Sequence, residues 1–259
     1  MNIKTIIVQG ILLLYGSFLI VQCVQDCGSS TRYGNQAGFD NMGSSLTAFG
    51  NHAGFNNKGN RNSMFGEGAG RSSIGGSDNS FFGYAGGDST TTTGYDNSFF
   101  GSEAGRSNAT GRRNSFLGRK AGLLSKSLDN SFFGYSAGEI TTTGFANSFF
   151  GYKAGKENQH GNFNSFFGES SGKNNVSGYS NSFYGNSSGF NNRDGTNNSF
   201  IGQFSDYYIS GSHNIAIGAE AGPTEDQGDV DSTLYIDVKQ TNDPLIYGQF
   251  NKRIVRING

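Results

Sequence analysis

In residues 147–155, NSFFGYKAG, two polar residues lead into two aromatics, a glycine, two variable positions and a small pair. Successive side chains of a strand point to opposite faces, so Phe149 and Phe150 cannot enter the same core. The pattern recurs. Aligned on the glycine after the aromatic pair, copies begin at 30 (STRYGNQAG), 46 (LTAFGNHAG), 62 (NSMFGEGAG), 79 (NSFFGYAGG), 97 (NSFFGSEAG), 114 (NSFLGRKAG) and 130 (NSFFGYSAG). The series continues at 147, 164 (NSFFGESSG), 181 (NSFYGNSSG), 198 (NSFIGQFSD) and 214 (NIAIGAEAG), twelve copies spaced 16 to 18 residues apart. A glycine three residues before the motif (Gly94, Gly111, Gly144, Gly161, Gly178, Gly195, Gly211) repeats with it. No window carries the apolar period of an amphipathic helix. Each copy reads as a short strand closed by glycine, a second short strand or turn around x-x-A-G, and a polar loop. Fixed-period self-similarity means stacked units that bury a core only together. The expected fold is all-β: a parallel β-solenoid, or β-roll, of about twelve coils. At ~4.8 Å per coil it makes a rod roughly 58 Å long.

Positions within the repeat separate by composition. The fourth is large and apolar in every copy: Tyr33, Phe49, Phe65, Phe82, Phe100, Leu117, Phe133, Phe150, Phe167, Tyr184, Ile201 and Ile217. That column, from Phe49 onward, is the expected coil core. The eighth position, from Ala37 to Ala221, is always small, which suits the opposite wall of a thin coil. The third position is Arg32, Ala48 and Met64, then Phe in eight consecutive copies (Phe81, Phe99, Phe116, Phe132, Phe149, Phe166, Phe183, Phe200), then Ala216. On the other face of the sheet, eight stacked rings would present roughly 1,200 Å² of apolar surface. Monomers rarely expose a patch of more than a few hundred Å². With so few residues per coil left to wrap the rod, identical chains are the favoured cover.

The pattern N-S-F-F-G-x-x-A-G with G-x-x-N before it resembles the head repeats of YadA-like trimeric autotransporter adhesins, and NIAIGAEAG is nearest to that form. Similar aromatic-rich repeats occur in surface and tail-fibre-like proteins. The resemblance covers residues 30–222. It implies a parallel β-roll packed side by side into a homotrimer that binds host or matrix surfaces, with the third-position phenylalanines as the threefold seam. The chain departs from that family in its longer period, its extra residues (Thr90–Thr93, Thr141–Thr143) being expected in outer loops. Neither a heptad stalk nor a membrane-anchor barrel follows the repeats. Residues 223–259 instead hold three alternating segments, TLYIDV (Thr233–Val238), PLIYGQF (Pro244–Phe250) and RIVRI (Arg253–Ile257). These predict three strands, read as a C-terminal β cap.

Residues 1–23 read as a signal peptide: Lys4, then an apolar run from about Ile6 to Val21, with Val21 and Cys23 at −3 and −1 of a cleavage site. A lipoprotein or a retained anchor is the alternative, and only an uncleaved anchor would involve a membrane. Residues 24–29 form a short linker. They keep Cys27, the one cysteine left after cleavage, which suggests an intermolecular disulfide or a free thiol. The expected localisation is extracellular, secreted or at the cell surface.

Composition narrows the chemistry. Glycine supplies 42 of 259 residues without G-X-Y spacing, which excludes collagen. Nineteen basic residues against 20 acidic ones, with no basic stripe, argue against nucleic acid. His52, His160 and His213 are isolated, so no metal site or other cofactor is expected. GGSD at 75–78 has the form of a calcium β-roll repeat but occurs once. Sequons at Asn108, Asn175, Asn186 and Asn197 matter only in a eukaryotic host. No catalytic set stands out, so the chain is read as a non-enzyme. Its expected role is a surface fibre head that binds a surface, glycan or matrix polymer through outer loops. Tyr84, Tyr135 and Tyr152, each following a strand-ending glycine, form the candidate binding edge. The alternatives are a structural component of a matrix or sheath, and a polysaccharide-degrading spike with carboxylate pairs between coils.

Overall fold

The computed structural model describes residues 30–88, 94–208, 210–225 and 229–258. The signal peptide, Cys27 and Thr90–Thr93 lie outside the described residues. Each repeat contributes one three-residue strand: β1 (Thr31–Tyr33), β2 (Thr47–Phe49), β3 (Ser63–Phe65), β4 (Ser80–Phe82), β5 (Ser98–Phe100) and β6 (Ser115–Leu117). There follow β7 (Ser131–Phe133), β8 (Ser148–Phe150), β9 (Ser165–Phe167), β10 (Ser182–Tyr184), β11 (Ser199–Ile201) and β12 (Ile215–Ile217). All twelve pair in parallel with their sequence neighbours and in strict repeat register, Phe149 opposite Phe132 and Phe166. The chain is therefore an all-β parallel solenoid of about twelve turns.

The x-x-A-G segment is a turn. Ala154 N–H donates to the Gly151 carbonyl within its own coil (3.3 Å), while Gly155 N–H donates to Ser171 of the next (3.0 Å). The three predicted C-terminal strands form as β13 (Thr233–Ile236), β14 (Ile246–Gln249) and β15 (Ile254–Ile257). The first pairs in parallel with β12 and the other two fold back antiparallel, so they continue the same sheet to fifteen strands.

The two aromatic columns are exchanged relative to expectation. Phe81, Phe99, Phe116, Phe132, Phe149, Phe166, Phe183 and Phe200 are 0–1% exposed and run down the inside of the coils. They are not a seam between chains. The fourth-position residues Phe49, Phe65, Phe82, Phe100, Leu117, Phe133, Phe150, Phe167, Tyr184, Ile201 and Ile217 point outward: Phe100 is 40% exposed and Leu117 50%. They are not the coil core. Strand alternation carries the reason. Asn147 and Phe149 share one face, Ser148 and Phe150 the other, and Asn147 is wholly buried. What fixes the Asn–Phe face as the inner one is the turn. The first and third side chains look across the coil to the eighth-position alanines, of which Ala104, Ala121, Ala137 and Ala154 are wholly buried.

The phenylalanine rings lie flat against the ninth-position glycines. A Cβ on Gly155, whose φ is +55°, would fall 2.4 Å from Cε2 of Phe149. The fifth-position glycines stack as closely, since a Cβ on Gly151 would lie 2.3 Å from the carbonyl oxygen of Gly168. Inside, neighbouring rings are parallel and offset, with centroids 4.7–5.0 Å apart from Phe81 to Phe200, the strand spacing itself.

Beside the ring stack runs a ladder of buried asparagines from the first repeat position. The Asn147 side-chain amide donates to Oδ1 of Asn130 (3.2 Å) and to the Gly161 carbonyl (2.8 Å), while its own Oδ1 accepts from the backbone of Asn164 (3.0 Å). Asn97, Asn114, Asn130, Asn164, Asn181 and Asn198 make equivalent links. Each amide satisfies backbone groups that a coil cannot pair by itself. Thr141, expected in an outer loop, is buried.

Candidate interaction surface

The outward fourth-position column is an ordered apolar feature of the described surface. Its rings stack in two runs, Phe49 through Phe100, then Phe133 through Tyr184, with Tyr33 tilted at 32° against Phe49. Centroids within the phenylalanine runs lie 4.6–5.1 Å apart and planes within 7°. Leu117 stands between the two runs, and Ile201 and Ile217 extend the column toward the C-terminal strands. Parallel register makes this column continuous, because every coil places its fourth residue directly over the last.

The tyrosine edge flanks that column, one residue beyond the strand-ending glycine. Tyr135 and Tyr152 stack at 5.4 Å and 15°. Arg119 lies 6.0 Å from the centre of the Tyr135 ring, and the Lys153 ammonium 4.7 Å from that of Tyr152. Tyr84 is exposed three coils away, with Ser102 and Arg119 at the intervening positions, so the structure brings together two of the three tyrosines. The hydroxyl of Tyr152 also raises the Lys153 pKa. Position by position the edge reads Arg119, Tyr135, Tyr152, Glu169, Asn186: two exposed aromatic faces bracketed by groups that donate and accept hydrogen bonds. Such a strip can stack against apolar ring faces and bind hydroxyls, and it holds no nucleophile with a base beside it.

Other candidate residues have structural partners. Asp78 of the GGSD stretch is held by a two-pronged ion pair from Arg61 (2.6 and 2.7 Å), which also keeps its carboxyl below the usual range. Arg113 and Asp129 repeat that arrangement across coils (2.6 and 2.9 Å). His160 Nδ1 lies 2.8 Å from the Thr143 hydroxyl, and His213 Nε2 3.4 Å from Asn197 Nδ2. Among the described residues no group of three His, Cys, Asp or Glu side chains is placed to hold a metal ion. Asn108 and Asn175 are buried within the solenoid, whereas Asn197 is exposed and Asn186 partly so.

The fold and surface define a class, an aromatic-rich all-β parallel solenoid with an exposed apolar ladder. No family model, curated protein or solved structure matches the chain.

Proposed function

We propose that the chain is the head of a secreted or cell-surface fibre, assembled as a side-by-side homotrimer, that adheres to a glycan or matrix polymer. One observation carries the reading: the continuous outward column from Phe49 to Ile217. Of its eleven side chains, Phe100, Leu117, Tyr184, Ile201 and Ile217 are 39–50% exposed and the other six are half-buried, so at about 150–250 Å² each they leave roughly 600–800 Å² uncovered. That is above the usual largest patch of a monomer. It approaches the area each partner contributes to a standard stable interface, ~800 Å². The column is periodic and repeats in every coil, so its best complement is another periodic rod of identical pitch. Three such rods can each turn the column inward and leave the tyrosine edges outward. The three strands after the repeats then serve as a cap on the open end of the stack.

The edge around Tyr135 and Tyr152 is assigned the adhesive role. Aromatic faces beside Arg119, Glu169 and Asn186 suit sugar rings and polar polymers, and three copies on one fibre multiply weak contacts by effective concentration. Adhesion of protein-coated beads to polysaccharide and matrix surfaces tests the assignment. The Tyr84→Ser/Tyr135→Ser/Tyr152→Ser variant is expected to lose most retention under flow while keeping its β circular dichroism. Equal retention would remove this edge from the binding role, and release of reducing sugar would move the protein to the enzymes.

A further inference from the structure

The eleventh coil breaks the repeat at one point. The ninth position is glycine in eleven of the twelve copies and aspartate only at Asp206. In coils 5 to 10 a Cβ there would fall 2.4 Å from the buried phenylalanine ring, so those coils leave no room for a side chain. Asp206 occupies the position at φ 46°, 3% exposed, with Oδ1 lacking a hydrogen-bond partner. A buried carboxyl oxygen with nothing to bind is unfavourable. Local departures of this kind, held by the surrounding structure, collect at functional sites.

Next to it lies a cavity of about 370 Å³ lined by Phe204, Tyr207, Tyr208, Glu220, Gly222, Pro223 and Gln240. Asp206 borders it through Gly222: a Cβ on that glycine would sit 3.6 Å from the unpartnered Oδ1. Phe190 stacks on Tyr207 from the coil before, at 4.8 Å. Phe204 and Tyr208 meet the Tyr207 ring at near-right angles, 74° and 73°, with centroids 5.6 and 4.9 Å away. Phe204 and Tyr208 thus pack against Tyr207 in edge-to-face contacts, and all three rings contribute to the cavity lining. Glu220 supplies a carboxylate to the cavity wall, whereas Asp206 lies behind Gly222. Burial, and then the charge of Asp229, raise the Asp206 pKa well above its ordinary range, and no cation figures among the influences on it.

We propose that this cavity binds a quaternary or N-methylated ammonium group that carries no adjacent phosphate, with Phe204, Tyr207 and Tyr208 as its aromatic lining and the Glu220 carboxylate as its counter-charge. Aromatic faces attract such cations through the ring quadrupole, and a methylated ammonium needs no hydrogen-bond acceptors that rings cannot supply. A phosphate beside the ammonium would meet the Glu220 carboxylate, which is why phosphocholine is excluded from the class.

Calorimetric titration of the purified protein tests this with choline, its uncharged isostere 3,3-dimethylbutan-1-ol, and phosphocholine. Choline is expected to bind at least tenfold more tightly than either of the others. Tyr208→Ala, a change at an exposed ring, is expected to weaken choline at least tenfold, and Glu220→Gln several-fold, with circular dichroism unchanged. Equal binding of choline and the neutral alcohol would overturn the proposal in favour of a plain apolar pocket. Tighter binding of phosphocholine, or no choline binding at millimolar concentration, would overturn it as well.

Discussion

The inner and outer aromatic columns come from adjacent residues of the same strands, yet they tolerate different sequences. The inner column is phenylalanine in eight consecutive coils, changing to Met64, Ala48 and Arg32 at one end and to Ala216 and Tyr235 at the other. Its volume is bounded on every side, by glycine backbone, by buried alanine and by the rings above and below. The outer column accepts Tyr, Phe, Leu and Ile in any order. An outward face tolerates variation in size, whereas a closed slot does not. Constancy of the residue, more than constancy of hydrophobic character, marks the inside of this solenoid.

The comparison is broken most sharply by truncation. Phe149→Ala is expected to destabilise the chain by about 3–5 kcal/mol, because the rigid glycine wall cannot collapse into the space. Phe150→Ala, already partly exposed, is expected to lower the stability of a single chain by about 1 kcal/mol or less. Denaturant unfolding of both variants under conditions that keep chains apart reads the difference. Equal losses would mean that the two faces are not distinct.

A gentler perturbation keeps the rings and crowds them. Gly155→Ala places a Cβ against Phe149 at a positive φ, and a loss of about 1–3 kcal/mol is expected from overpacking. Asn147→Ala acts on the polar half of the same face. It leaves the backbone N–H of Asn164 and the carbonyl of Gly161 without their side-chain partner, with an expected loss of about 1–3 kcal/mol. Faster hydrogen exchange at Asn164 than at more distant coils would locate that loss.

The twelve-fold repeat, the parallel sheet, the strand positions and the small inner wall were legible because a fixed period constrains every copy at once. The facing of the two aromatic columns was misread because both positions are apolar, and hydrophobic character alone does not choose between them. Asn147 held the missing signal. It lies two residues before Phe149, hence on the same face, and it recurs as reliably as the aromatic residues. A polar side chain that recurs at one face in ten consecutive copies, from Asn62 to Asn214, points to an internal ladder of amides, not to solvent. The cavity at coil 11 was half legible: NSFIGQFSD departs visibly from the repeat, but that Phe204, Tyr207 and Tyr208 come together in its lining depends on turn geometry that one copy cannot reveal.

The smallest expected effect concerns that departure. Asp206 has a raised pKa in the folded state, so its neutral form is the one the fold accepts. Its contribution to stability is therefore greatest below the ordinary carboxylate value of 3.8 and is lost as pH rises from there toward the folded value. Asp206→Asn is expected to match the parent protein near pH 3 and to exceed it in melting temperature at neutral pH. A constant difference across that range would remove Asp206 as the titrating group.

The central claim is that the outer column is covered by identical chains. Sedimentation velocity of the purified protein, beside a Phe133→Lys/Phe150→Lys variant, tests it most directly. The account predicts three chain masses for the parent protein, and one for the variant with its β circular dichroism intact. A well-folded parent monomer at tens of micromolar, or a variant that remains a trimer, would contradict it.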